Sequence, residues 1–122
     1  MKIKESAENY LETILMLTNQ KKYVRSVDVA NELGFSKASV SVAMKSFREE
    51  GYIVIDGNGG ITLTEKGHCI AAKMCERHNV IARALIALGV SEETAYIDSC
   101  KIEHDISEES FEKIKEFLVK LN

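Results

Sequence analysis

The sequence predicts a mainly α-helical chain with one small β-hairpin, and three observations carry that prediction. Apolar residues recur at helical spacing along most of the 122 residues. Hydroxyl or acidic residues open those stretches, and glycines close several of them. One segment breaks the rhythm: YIVI, then DGNGG, then ITLT reads as strand, tight turn and strand.

Taken in order, SAENYLETILMLTNQ is an amphipathic helix whose core stripe is Ala7, Tyr10, Leu11, Ile14, Leu15 and Leu17. Ser26 is the expected N-cap of a short helix, SVDVANELG, that Gly34 stops. Ser36 caps the next, SKASVSVAMKSFREEG, which ends at Gly51. Two helices joined by a tight glycine turn form a helix-turn-helix, and the hairpin that follows makes it winged. Thr64 opens a long helix closed by Gly89. Ser91, with Glu92 and Glu93 in the first turn, opens the helix expected to carry Cys100, Glu103 and His104 on one face. Ser107, Glu108 and Glu109 repeat that start for a last amphipathic helix, whose apolar residues are Phe111, Ile114, Phe117, Leu118 and Leu121. The division expected is a winged helix-turn-helix DNA-binding domain over 1–63 and an all-α sensor and pairing domain over 64–122.

Composition narrows the class. No apolar run approaches 18 residues, so a membrane span is not expected. Cys69, Cys75 and Cys100 show no CxxC spacing, which fits a reduced, cytoplasmic setting better than a disulfide framework. The net charge of −3 argues against a protein that coats nucleic acid indiscriminately. Its distribution is uneven. Residues 1–75 hold 10 Lys and Arg against 9 Asp and Glu, and residues 76–122 hold 6 against 10. The first part can approach phosphate while the second handles cations.

On the second reader helix the first turns would reach base edges in the major groove. They offer Ser36, Lys37, Ala38, Ser39, Ser41 and Val42. Lys37, Lys45 and Arg48 suit phosphates, and Asn58 in the wing suits the backbone or minor groove. A solvated Ser/Lys surface would read the same way without the preceding helix. In the second half, Cys-x-x-Glu-His groups a thiol, a carboxylate and an imidazole. Taken alone, the letters also fit a small buried cysteine and a solvated Glu-His face. Adding His78 from the neighbouring helix, and Glu12 with Asn9 one turn before it, gives a site whose formal charge is −1 with a dication included. That mixture suits a first-row transition metal rather than calcium or magnesium. Its His and Cys donors must be deprotonated to bind.

The chain resembles the DtxR/MntR family of iron- or manganese-dependent transcriptional repressors across nearly its whole length. The resemblance rests on ENYLETI, VANELGFSKASVSVAMKSFREEGYI, LTEKG, ERHNVIARAL and, most specifically, CKIEHDIS after GVSEETAY. It implies a homodimer that bound metal favours on operator DNA, silencing metal-uptake genes, and no enzymatic activity. It implies Asn9, Glu12, His78, Cys100, Glu103 and His104 as the metal site. The manganese branch usually has aspartate where Asn9 stands and glutamate where Cys100 stands. The iron branch shares the cysteine but has methionine at position 9. Ala82 and Tyr96 replace the glutamate and histidine of the iron branch's ancillary site, so that site is not expected. The soft Cys100 thiolate tips the expectation to Fe2+ over Mn2+, with Zn2+ or Co2+ binding in vitro. The competing readings are a winged-helix regulator sensing an organic ligand or an oxidant through Cys100, a metal-dependent hydrolase, and a helical interaction module.

Overall fold

The computed structural model describes residues 5–121. Six helices and one hairpin follow in the expected order: α1 Glu5–Gln20, α2 Ser26–Leu33, α3 Lys37–Glu49, β1 Ile53–Ile55, β2 Ile61–Leu63, α4 Glu65–Ala87, α5 Glu92–Ile102 and α6 Glu108–Leu121. They divide into two compact units, one ending at Ala72 and the other beginning at Lys73. Among the described residues no helix is long and apolar enough to cross a membrane.

In the first unit α1 packs against α2 and β2, and α3 packs against α2 and β1. The α1 stripe supplies Tyr10, Leu11, Ile14 and Leu17 to the core, with Ala7 and Leu15 at its margin. Val29 and Ala30 enter from α2, and Val40, Met44 and Phe47 from α3. Each fully buried aliphatic side chain here contributes roughly 1.5–3 kcal/mol. Gly34 takes φ 72°, the left-handed turn that lets α2 hand over to α3. The hairpin pairs Ile53 with Leu63, Val54 with Thr62 and Ile55 with Ile61. The amide of Ile61 also donates to the Val24 carbonyl at 2.7 Å, which fastens the wing to the segment before α2.

Two helix starts differ in kind. Ser36 caps α3 as expected, accepting from the Ser39 amide at 3.1 Å. Ser26, expected to cap α2, is instead its first helical residue. The cap is Arg25, whose amide donates to the Asp28 carboxylate at 2.9 Å. Asp28 is also bonded by Lys21 at 2.6 Å, so an acidic side chain three residues in governs this terminus, not the serine hydroxyl.

The start of α4 belongs with the wing. Thr64 accepts from the Gly67 amide and donates to the Gly51 carbonyl at 2.6 Å. A Cβ on Gly67 would collide with the Tyr52 carbonyl, so only glycine allows the helix to approach the strand this closely. In the second unit, Met74, Ile81, Ala82, Ala95 and Phe111 are buried. Ser91 caps α5 through the Thr94 amide, and Ser107 accepts from the Ser110 amide at 3.1 Å as α6 begins. An apolar groove of about 540 Å3 runs between the end of α4 and α6, lined by Ile81, Leu85, Leu88, Ile102, Phe117 and Leu121 among others. Leu88 at its rim is 78% exposed.

Candidate metal centre and nucleic-acid interface

The side chains expected to meet DNA all lie on the surface of the first unit. Ser36, Lys37, Ala38, Ser39, Ser41, Val42, Lys45 and Arg48 are exposed on and before α3, as is Asn58 in the wing. Val42 is 72% exposed on a helix whose other face closes a core. The Ser36 hydroxyl is already engaged at the cap, where it donates to the Ser39 hydroxyl at 2.9 Å. The wing turn has an organiser that the sequence reading missed. Asp56 accepts the amides of Asn58 and Gly60 at 2.8 and 2.9 Å, and the Tyr23 hydroxyl at 2.7 Å. The Tyr23 bond and the two amides hold the Asp56 carboxyl below its usual range, and the same bond raises the Tyr23 phenol.

On α1, Asn9 is exposed and Glu12 half-buried. The spacing of three places them one turn apart on the helix.

The second unit gathers His78, Cys100, Glu103 and His104. Helix α4 supplies His78, and Cys100 lies in the last turn of α5. Contrary to the expectation of one continuous helical face, α5 closes at Ile102. Glu103 is its C-cap, at φ −58° and ψ −29°, and His104 sits in the turn beyond. The cause is Arg77. Its buried guanidinium donates through one terminal nitrogen to the carbonyls of Glu103 and Ile106, both at 3.0 Å. The other terminal nitrogen bonds Glu108 at 2.9 Å. The Ile102 carbonyl is meanwhile shared by the amides of Asp105 and Ile106, which closes the turn.

The result is a buried carboxylate facing imidazoles and a thiol. Glu103 is fully buried. Its Oε2 lies 3.0 Å from His78 Nδ1, and the same nitrogen is 3.3 Å from Cys100 Sγ and 3.2 Å from Ser99 Oγ. Oε1 has no hydrogen-bond partner among the described residues, although His104 Nε2 lies 3.4 Å from it. A buried carboxylate with one oxygen unsatisfied is costly unless a cation compensates it. Donors bound to one first-row ion at about 2.0–2.3 Å lie roughly 3–3.7 Å apart. The separations here fall in that range, so the donor set fits a transition metal. Ser99, buried and donating to the Tyr96 carbonyl at 3.0 Å, and the Tyr96 ring, centred 5.5 Å from the His78 ring, frame the imidazole.

Comparison with known proteins agrees with both halves of this description. Residues 2–61 match the family described as iron dependent repressor, N-terminal DNA binding domain. Residues 64–122 match its metal binding and dimerisation domain. The HTH-type transcriptional regulator MntR of Lysinibacillus sphaericus is 33% identical over 113 residues, covering 93% of this chain and 81% of that one. An HTH-type transcriptional regulator of Methanocaldococcus jannaschii is 35% identical, covering 95% and 94%. Among solved structures, a manganese-dependent transcriptional repressor in complex with manganese superposes with a TM-score of 0.84 at 25% identity, covering 92% of this chain and 52% of that one. This chain thus spans about half the length of that solved relative. The chain belongs to the iron dependent repressor family, whose members are metal-dependent, DNA-binding transcriptional repressors and not enzymes.

Proposed function

We propose that the chain acts in the cytoplasm as a homodimer that binds double-stranded operator DNA when loaded with Fe2+ or Mn2+, and so represses metal-uptake genes. Residues 1–63 read DNA in this account, and 64–122 sense metal and pair. The observation that carries the reading is the buried Glu103 carboxylate, with one oxygen lacking a hydrogen bond and the other beside His78 and Cys100. His78, Cys100, Glu103 and His104 would hold the ion. Glu12 completes the set from α1, and Asn9 offers a weaker amide oxygen. The bound ion supplies positive charge that the buried Glu103 carboxylate and the exposed Cys100 thiolate otherwise lack. The manganese-bound relative favours Mn2+, whereas the Cys100 thiolate favours the softer Fe2+, and iron is the preferred reading.

On the DNA side, Lys37, Lys45 and Arg48 contact phosphates and set the register of α3. Ser36, Ser39 and Ser41 bond phosphates or base edges, Ala38 and Val42 meet thymine methyls, and Asn58 follows the backbone from the wing. Glu12 shares α1 with the core residues Leu11 and Ile14, which lie beneath the reader. Restraining α1 therefore restrains the pose of α3. Ile86 and Leu88, with Leu85 and the face of α6, form the pairing surface, and Ile81 supports it from below. The test is anaerobic binding to a library of genomic duplexes, with and without Fe2+ or Mn2+. Metal is expected to raise affinity for selected sites about 5–150-fold. Equal affinity with a demonstrably loaded protein would reject the coupling.

A further inference from the structure

We propose that Arg77 is the positioning residue of the metal centre: its guanidinium holds the turn at 103–106, so that Glu103 and His104 meet the ion already set, and ties that turn to the start of α6. The proposal rests on the metal-site reading above.

Three contacts define the device. One terminal nitrogen of Arg77 bonds the carbonyls of Glu103 and Ile106, and the other bonds the Glu108 carboxylate. Its Cζ lies 5.3 Å from the centre of the buried Phe111 ring on α6. A single planar group thus fixes the backbone at 103 and 106 and the side chain at 108. Helix ends leave carbonyls without partners, and water or a glycine turn usually supplies what they lack. Here a buried cation does so, at the residue whose side chain faces the metal donors. Arg77 also precedes His78 directly, so one turn of α4 delivers both a candidate ligand and the group that orients two others.

The charge arrangement fits this role. A guanidinium beside a cation site would weaken metal binding unless its own charge were met. Glu108 meets it, and Lys73 bonds the same carboxylate oxygen at 2.9 Å. Arg77 Nε has no hydrogen-bond partner among the described residues, so the hydrogen bonds that orient the group run through its terminal nitrogens. Lysine would retain the charge but not the planar fork that spans two carbonyls and a carboxylate.

The experiment titrates the full chain with Co2+ anaerobically, reading affinity, the d–d bands and the thiolate charge-transfer band, and records the melting of each metal-free variant. Arg77→Lys is expected to bind Co2+ about 10–100-fold more weakly, with shifted d–d bands. Glu108→Gln, a change at an exposed carboxylate, is expected to lose less, under about tenfold. A folded Arg77→Lys chain with the affinity and spectrum of the parent would overturn the proposal, even if it melted lower. If that variant does not fold, Glu108→Gln decides: weaker Co2+ binding supports the role, and unchanged binding rejects it. Glu103→Gln and His104→Ala serve as references. Unchanged Co2+ binding in both would remove the metal site itself, and the role of Arg77 with it, a result distinct from failure at Arg77 alone.

Discussion

On α3 the polar side chains face outward while Val40, Met44 and Phe47 close an apolar core beneath them. Around the end of α5 the arrangement is reversed. Arg77, Ser99 and Glu103 are buried, and the apolar Ile97 and Ile102 of α5 are exposed. The contrast separates two ways of building a site. A surface reader can change its contacts without disturbing the fold that carries it, because what it touches lies outside. A buried polar centre cannot, because groups such as Arg77 satisfy several others at once and removing one strands its partners.

The largest effect should come from the core under the reader. Ile14→Ala or Met44→Ala is expected to cost about 2–5 kcal/mol, measured by denaturant unfolding of the metal-free chain. A loss below about 1 kcal/mol would mean that this core is not packed as described. Next comes the buried centre. Glu103→Gln keeps the shape but removes the charge, and metal affinity should fall by about 100-fold or more, beyond the usual loss for groups that only support ligands. Its metal-free form should melt no lower than the parent, because the uncompensated buried charge is gone. A large drop in melting temperature would assign Glu103 to stability instead.

Lys45→Ala and Arg48→Ala probe the reader surface. Each should weaken duplex binding about uniformly across sequences and reduce the salt slope by about 1. Stability should change by less than about 0.5 kcal/mol. A sequence-dependent loss would move that residue from phosphate to base contact. The smallest effect is one of pH. Lys21, then the Arg25 amide, hold the Asp28 carboxyl below its usual value. A depressed carboxyl contributes stability above its unfolded value of about 3.9 and loses it as pH falls through the folded one. Asp28→Asn should therefore melt slightly lower than the parent at neutral pH, by less than about 1 kcal/mol, and the gap should close in acid. A gap that persists at low pH would assign the effect to the amide contact and not to charge.

Much of this arrangement was legible from residue patterns. Gly34, Ser36, Thr64, Ser91 and Ser107 announced helix ends through local chemistry, and YIVI-DGNGG-ITLT announced the wing. Ser26 misled, because Asp28 won the competition for the cap through a carboxylate that Lys21 also holds. The single helical face drawn for Cys100, Glu103 and His104 also failed at its last step. Spacing cannot show that the helix closes at Ile102, where a side chain 26 residues before Glu103 bonds the Glu103 carbonyl. A signal for Arg77 was nonetheless present. Ile70, Met74, Ile81 and Leu85 form an apolar stripe along α4, and Arg77 stands in it where a hydrophobic residue belongs. An arginine in that stripe has to find buried acceptors. Tyr23 and Asp56, 33 residues apart, carry no such local sign, and their pairing appears only once the wing is folded.

The most direct check is anomalous diffraction from crystals of the chain grown with Mn2+ or Fe2+ under anaerobic conditions. A peak within coordination distance of both Glu103 and His78, with Cys100 or His104 alongside, is the predicted result. An ion bound elsewhere, with the Glu103 carboxylate still buried and uncoordinated, would contradict it.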